Sequence, residues 1–79
     1  MPKYYFNVYN GTDHHIDDVG EELPDRIAAW HEATTSAGQS LKDLDGKLLP
    51  GSEWRMEVLD EFGNRLYSLN ISAHTESQP

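Results

Sequence analysis

Residues 54–71, WRMEVLDEFGNRLYSLNI, have the pattern of a β-hairpin, and the rest of the chain is interpreted around them. Apolar residues alternate with polar ones in both halves of this stretch, which predicts two strands that each bury one face. A turn centred on Phe62 and Gly63, with Gly63 at positive φ, sets the apolar residues of the two strands opposite each other, and the loop has two residues or four, from Glu61 to Asn64. The predicted pairs are Val58 with Tyr67, Met56 with Leu69, Trp54 with Ile71 and, nearer the turn, Asp60 with Arg65.

A second hairpin is predicted at the start of the chain. Residues 4–9, YYFNVY, are aromatic and β-branched, and the following Asn10-Gly11 pair is a strong signal for a two-residue turn. The partner segment, residues 12–17, contributes only Ile16 to an apolar face, so we expect a short edge strand at most. The residues of the first strand that are predicted to face the core are Tyr4, Phe6 and Val8.

One long helix is predicted between the two hairpins. It begins at Pro24 or Asp25, because proline and an acidic residue both suit a first turn, and it ends near Asp45-Gly46, because glycine suits the left-handed cap. A stripe at 4-3 spacing is predicted to pack on the sheet, and we expect Trp30 to meet Trp54 there. The stripe consists of Leu23, Ile27, Trp30, Thr34, Ala37, Leu41, Leu44 and Leu48.

These elements predict an α+β fold, a small and mainly antiparallel sheet with one helix packed on one face. The order is ββαββ, or βαββ if residues 12–17 form no strand, and the first strand is expected beside the last. Residues 1–72 then form a single domain and residues 73–79 a flexible tail. A lone helix leaves the other sheet face uncovered, and an apolar patch there is a candidate interface. Its residues are Tyr5, Tyr9, Leu59 and Leu66, joined by Ile16 if the edge strand forms.

Composition narrows the function classes. The 79 residues include 14 acidic and 6 basic side chains, giving a net charge of −8, which opposes direct binding to nucleic acid. The absence of cysteine removes disulfides and cysteine-based zinc sites. No signal peptide or membrane span is recognisable, so we expect a cytoplasmic protein without membrane partners. A core of this size supplies only about 3–5 kcal/mol of net stability, and such chains often self-associate.

Several short motifs resemble those of a family of small alphaproteobacterial proteins of the rhizobial type, a domain of unknown function. The resemblance rests on MPKYYFNVYNG at residues 1–11, D-D-x-G-x-E-L at residues 17–23, P-D-x-x-A-A at residues 24–29 and V-L-D-E-x-G at residues 58–63. It implies a small cytoplasmic bacterial α+β protein and brings no catalytic residues with it.

Metal and catalytic chemistry have one candidate cluster, the run DHHIDD at residues 13–18. Imidazole and carboxylate groups bind divalent metals, and Asp13, His15 and Asp17 share one side of an extended strand. A polar loop lacks the supporting contacts that fix ligands, so we predict no metal and keep His14 and His15 as the candidates. Without a cysteine or a G-x-S-x-G elbow, the chain is predicted to be no enzyme and to hold no cofactor.

Three function hypotheses follow. The leading one is a protein-interaction module or homodimer that uses the exposed sheet face or a sheet edge. The alternative is an acidic decoy or inhibitor that mimics nucleic acid and binds a basic protein groove. Its acidic surface would consist of Asp17, Asp18, Glu21, Glu22 and Asp25. The third is a metal-dependent activity at His14 and His15.

Overall fold

The structure, a computed structural model, describes residues 2–11, 13–44, 51 and 53–76 of the chain. It confirms the predicted α+β class. The described elements are β1 (Lys3–Asn10), β2 (Asp13–His15), β3 (Glu21–Glu22), α1 (Arg26–Leu44), β4 (Glu53–Leu59) and β5 (Arg65–Ser72). Among these residues, no helix combines the length and the apolar character needed to cross a membrane.

The sheet has the order β2-β1-β4-β5 with all neighbours antiparallel, and the two-residue strand β3 also pairs with β1. The predicted position of the first strand beside the last is therefore wrong, because β1 lies beside β4. This arrangement places β4, whose Trp54, Met56 and Val58 are all buried, at the centre of the sheet. A central strand removes the most apolar surface from water, which favours this order.

The β4–β5 hairpin has the predicted register, with Trp54, Met56 and Val58 opposite Ile71, Leu69 and Tyr67, and Gly63 has φ +85°. A bulge between Val58 and Leu59 then changes the register, because Leu59 pairs with Arg65. The extra residue is Leu66, which packs against the core.

The predicted Asp60–Arg65 pair is wrong, because the bulge moves Arg65 to Glu57, where the charged groups are 3.0 Å apart. The Asp60 carboxylate serves the turn instead. It accepts hydrogen bonds of 2.9 Å from the backbone N–H groups of Phe62 and Asn64.

The helix lies close to its predicted position. Asp25 caps its start by accepting a 2.9 Å hydrogen bond from the Ala28 N–H. The predicted end at residues 45–46, the linker after it and the side chains of Leu44 and Leu48 fall outside the described residues.

The buried face of α1 differs from the predicted stripe. Ala29, Ala33 and Ala37, spaced by four residues, are the buried positions among its described side chains, and Ala37 is the one that the predicted stripe includes. By contrast, Ile27 is 64% exposed and Leu41 is 42% exposed. Large side chains of the sheet already fill the layer below the helix, so small alanines let the helix approach closely. The core consists of these alanines with Tyr4, Trp54, Met56 and Val58, bordered by Phe6, Val8, Leu23, Leu66, Tyr67, Leu69 and Ile71.

Candidate functional site

The outer edge of β5, called the open edge below, has no strand beside it among the described residues. Phe6 of β1 directs its N–H away from β4, to Asp17. Because orientation alternates along antiparallel strands, Tyr67, Leu69 and Ile71 direct their backbone groups toward β4. The backbone groups of Ser68, Asn70 and Ser72 therefore point outward, along an edge that can receive another strand.

An apolar surface on the helix adjoins the open edge. Trp30, which was predicted to meet Trp54, instead lies against Tyr67 of β5 with ring centroids 5.0 Å apart. Tyr67 also donates a 3.2 Å hydrogen bond to the Arg26 carbonyl, which fixes this side of the helix over β5. Ile27, Trp30 and Leu41 share that side at about 100° per residue, and we call them the apolar flank.

The open edge and the apolar flank carry no acidic side chain. The sequence of β5, RLYSLNIS, has Arg65 as its one charged residue. The acids of α1, Glu32 and Asp43, project on the side of the helix opposite the apolar flank. Because the chain as a whole has a net charge of −8, this surface is less negatively charged than the chain on average.

The outer edge of β1, called the covered edge below, is occupied along its length. Strand β2 pairs with Val8 to Asn10, and β3 pairs with Lys3 and Tyr4. Between them, one Asp17 carboxylate oxygen accepts a 3.1 Å hydrogen bond from the Phe6 N–H. The Leu23 N–H then donates to the Pro2 carbonyl at 3.0 Å, which extends the cover to the start of the strand.

Asp17 holds the covered edge together. Its second carboxylate oxygen accepts hydrogen bonds of 3.0 Å from the N–H groups of Val19 and Gly20. Partial burial raises the pKa of Asp17, but the three backbone N–H groups and the nearby His15 outweigh it, so the pKa lies below its usual value.

Gly20 closes the same loop against the sheet. It has φ +78°, and a Cβ atom there would lie 2.7 Å from the Lys3 side chain and 2.9 Å from the Tyr5 ring. The D-D-x-G segment therefore has a structural explanation at its first and last residues. Asp17 accepts the hydrogen bond from the Phe6 N–H on the covered edge, and Gly20 allows the loop to approach Lys3 and Tyr5 closely.

The sheet face opposite the helix carries a polar network. Glu57 accepts a 3.2 Å hydrogen bond from the Tyr9 hydroxyl and lies 3.0 Å from the Arg65 guanidinium. Arg55 stacks over the Tyr9 ring, 4.6 Å from its centroid, and His14 meets that ring edge-on. The centre of this face is thus charged, and Glu57 is paired there with both Tyr9 and Arg65.

The predicted interface residues fall in different places. Tyr5 and Leu59 are cross-strand partners, and Tyr9 lies further along β1 in the polar network. Leu66 packs against the core, because the bulge turns it away from the position that strict alternation predicts. Ile16 lies just beyond β2 and is 56% exposed. An interface role for these residues stays a prediction.

The predicted acidic surface is partly occupied by local structure. Asp17 caps β1, Asp25 caps the helix, and Glu21 and Glu22 form β3. Asp18 is exposed. Two of the five carboxylates therefore already accept hydrogen bonds from backbone N–H groups.

His14 and His15 form part of β2 and are exposed. Within the described residues, no group of three or more metal-ligating side chains lies close enough to hold a metal ion. His14 borders an open cleft of about 430 Å³ whose other lining residues are Tyr9, Gly11, Gly51, Glu53 and Arg55.

The sequence pattern predicted that the residues of the apolar flank lie in the core, so it did not identify them as an exposed surface. The signal that separates them is the series Ala29, Ala33 and Ala37, which marks a face rotated away from the large apolar residues.

The model of a protein family described as a domain of unknown function (DUF6894) matches residues 3–72, and the chain belongs to this family. No curated protein and no solved structure matches the chain.

Proposed function

We propose that this member of the DUF6894 family is a non-enzymatic protein-interaction module that binds its partner by strand addition at the open edge of β5. It would act in the bacterial cytoplasm, which an acidic chain without cysteine suits. The supporting observation is the continuity of the open edge with the apolar flank, so that backbone groups and apolar side chains are offered together.

Each part of this surface supplies a different component of binding. Outward backbone groups at Ser68, Asn70 and Ser72 fix the direction and register of an added strand. The apolar flank supplies the buried area that a pair of strand edges lacks, because Ile27 and Trp30 are 64% and 37% exposed. Large apolar side chains next to an eight-residue edge that no described segment covers are otherwise an aggregation hazard, which favours a function for them.

The experiment removes one outward N–H group. Asn70→Pro eliminates a donor on the open edge while leaving the β4–β5 hydrogen bonds in place, and proline is tolerated at such edge positions. Asn70→Ala is the matched control, because it removes the same side chain and keeps the N–H. Tagged wild-type chain and both variants are used to capture partners from native cytosol, with bound proteins identified by mass spectrometry.

We expect a bound species, either another protein or the untagged chain, to be lost with Asn70→Pro and retained with Asn70→Ala. A species retained equally by both variants would contradict binding at this edge. Binding that ignores position 70 and disappears at about 1 M salt would instead support the acidic decoy, because salt screens exposed charges.

A further inference from the structure

We infer that the occupant of the open edge is a second copy of this chain, paired antiparallel through β5 with Leu69 at the two-fold axis. The inference rests on the proposed function and specifies its partner. It follows from three properties of the surface: its charge, the alternation of its side chains and the position of the apolar flank.

Charge restricts where two copies can meet. Each copy carries a net charge of −8, so most surfaces of one copy repel the other. The open edge and the apolar flank are free of acid, and Arg65 lies at one end of β5. Antiparallel pairing separates the two Arg65 side chains to opposite ends, so no pair of like charges faces across the axis.

Side-chain alternation restricts the register. The residues Tyr67, Leu69 and Ile71 face the helix layer, and a one-residue slip would set them against polar outer-face residues of the partner strand. Registers centred on Ser68, Leu69 or Asn70 all keep the faces matched. The Leu69 register pairs Leu69 with itself and Tyr67 with Ile71, whereas the Ser68 register sets Arg65 against Ile71 and the Asn70 register sets Tyr67 against Ala73. Apolar pairing is therefore most complete about Leu69.

The two-fold axis also brings the helices together. Both copies of α1 lie on the same face of the joined sheet, and each presents the side that is next to β5. The apolar flanks then adjoin each other and cover Ile27, Trp30 and Leu41. Stable interfaces bury about 800 Å² per partner, which strand pairing alone does not supply, so the flanks are needed.

The register makes a test with introduced cysteines possible, because the natural chain has none. In the Leu69 register Ser68 faces Asn70 of the other copy, at about 5.5 Å between Cα atoms, within disulfide reach. Purified Ser68→Cys and Asn70→Cys are mixed in equal amounts and oxidised. Each variant alone, and a mixture in which His15→Cys replaces one of them, are the controls. Wild-type mass is measured in parallel by sedimentation equilibrium, and circular dichroism verifies the folding of each variant.

We expect wild-type mass to rise to twice the monomer value with concentration, and the mixed disulfide to exceed either self-disulfide about tenfold, as effective concentration at a paired site requires. His15→Cys should form cross-links only at the rate of random collision. Self-disulfides of Asn70→Cys or of Ser68→Cys in excess would overturn the Leu69 register. A monomer at all concentrations would overturn the second copy as partner, while a different protein lost with Asn70→Pro would still support the proposed function.

Discussion

Along the covered edge of β1, outward backbone groups have partners in β2, in the Asp17 carboxylate and in the segment around β3, whereas the open edge of β5 has eight residues without a neighbouring strand in the described part of the chain. The residues between the first hairpin turn and the helix are thus used to cover one edge. Strand edges are templates for further strands, and short irregular cover is a common protection. Within the described residues, such protection is therefore found on one side of the sheet alone.

The distribution of charge follows the same division. The segment between the first turn and the helix, which covers the edge of β1, contains five acidic residues: Asp13, Asp17, Asp18, Glu21 and Glu22. Strand β5 contains none. Repulsion between chains is therefore concentrated at the covered edge and reduced at the open one. Three predictions test the difference between the two edges.

Removing the cap on the covered edge should have the largest effect. Asp17→Ala leaves three backbone N–H groups without their charged acceptor, and we expect the free energy of unfolding to fall by about 2–3 kcal/mol. That is much of what a core of this size supplies, about 3–5 kcal/mol. Urea unfolding followed by tryptophan fluorescence measures the change.

The exposed neighbour provides the control for this variant. Asp18→Ala removes the same charge from the same loop, and its effect should stay within about 0.5 kcal/mol. Equal losses for both variants would show that net charge, and not the cap, stabilises the covered edge.

A smaller effect is expected from closing the space at Gly20. Gly20→Ala places a Cβ atom 2.9 Å from the Tyr5 ring at φ +78°, and we expect a loss of about 2 kcal/mol from backbone strain and crowding together. Gly63→Ala, in the hairpin next to the open edge, has φ +85° and no atom within 4 Å, so it should cost about 1 kcal/mol. Urea unfolding measures both losses of unfolding free energy. Equal losses would contradict close packing of Gly20 against Lys3 and Tyr5 as the cause of the larger effect.

The smallest effect concerns pH. Since the native pKa of Asp17 lies below its usual value of 3.8, the carboxylate contributes stability that is complete above that value and lost as pH falls through the native pKa. We expect the difference in unfolding free energy between wild type and Asp17→Asn to shrink between about pH 6 and about pH 2.5. The Asn64 N–H also lowers the pKa of Asp60, but Asp60 is present in both proteins and cancels. A constant difference would contradict the role of the ionised carboxylate.

Local signals in the sequence carried much of the fold. The alternation from Trp54 to Ile71 predicted the β4–β5 register, because that register depends on neighbouring residues. Asn10-Gly11 predicted the β1–β2 hairpin but placed its turn one residue too early, because β1 includes Asn10, which pairs with Asp13. The start of α1 followed from capping preferences in the same way. The pairing of β1 with β4 did not follow from local signals, because strand order depends on which strand buries the most surface in the finished sheet.

The candidate site was less accessible to prediction for two physical reasons. Spacing alone does not tell which of two adjacent helix faces is buried, and the alanine face of α1 won because the sheet leaves room only for small side chains. A bulge adds one residue and reverses facing locally, so Leu66 left the predicted patch. The role of Asp17 depends on a contact with Phe6 across eleven positions.

The pairing of β1 with β4 joins Tyr5 to Leu59, across the whole helix and its connections. The two hairpins and the helix involve near neighbours, so each is able to form on its own at little cost in chain entropy. Joining them closes the longest loop among the described strand pairings, and that cost comes before the central contacts are made. We therefore expect the rate of folding to be set at the middle of the sheet, while its two edges are completed quickly by local chain segments.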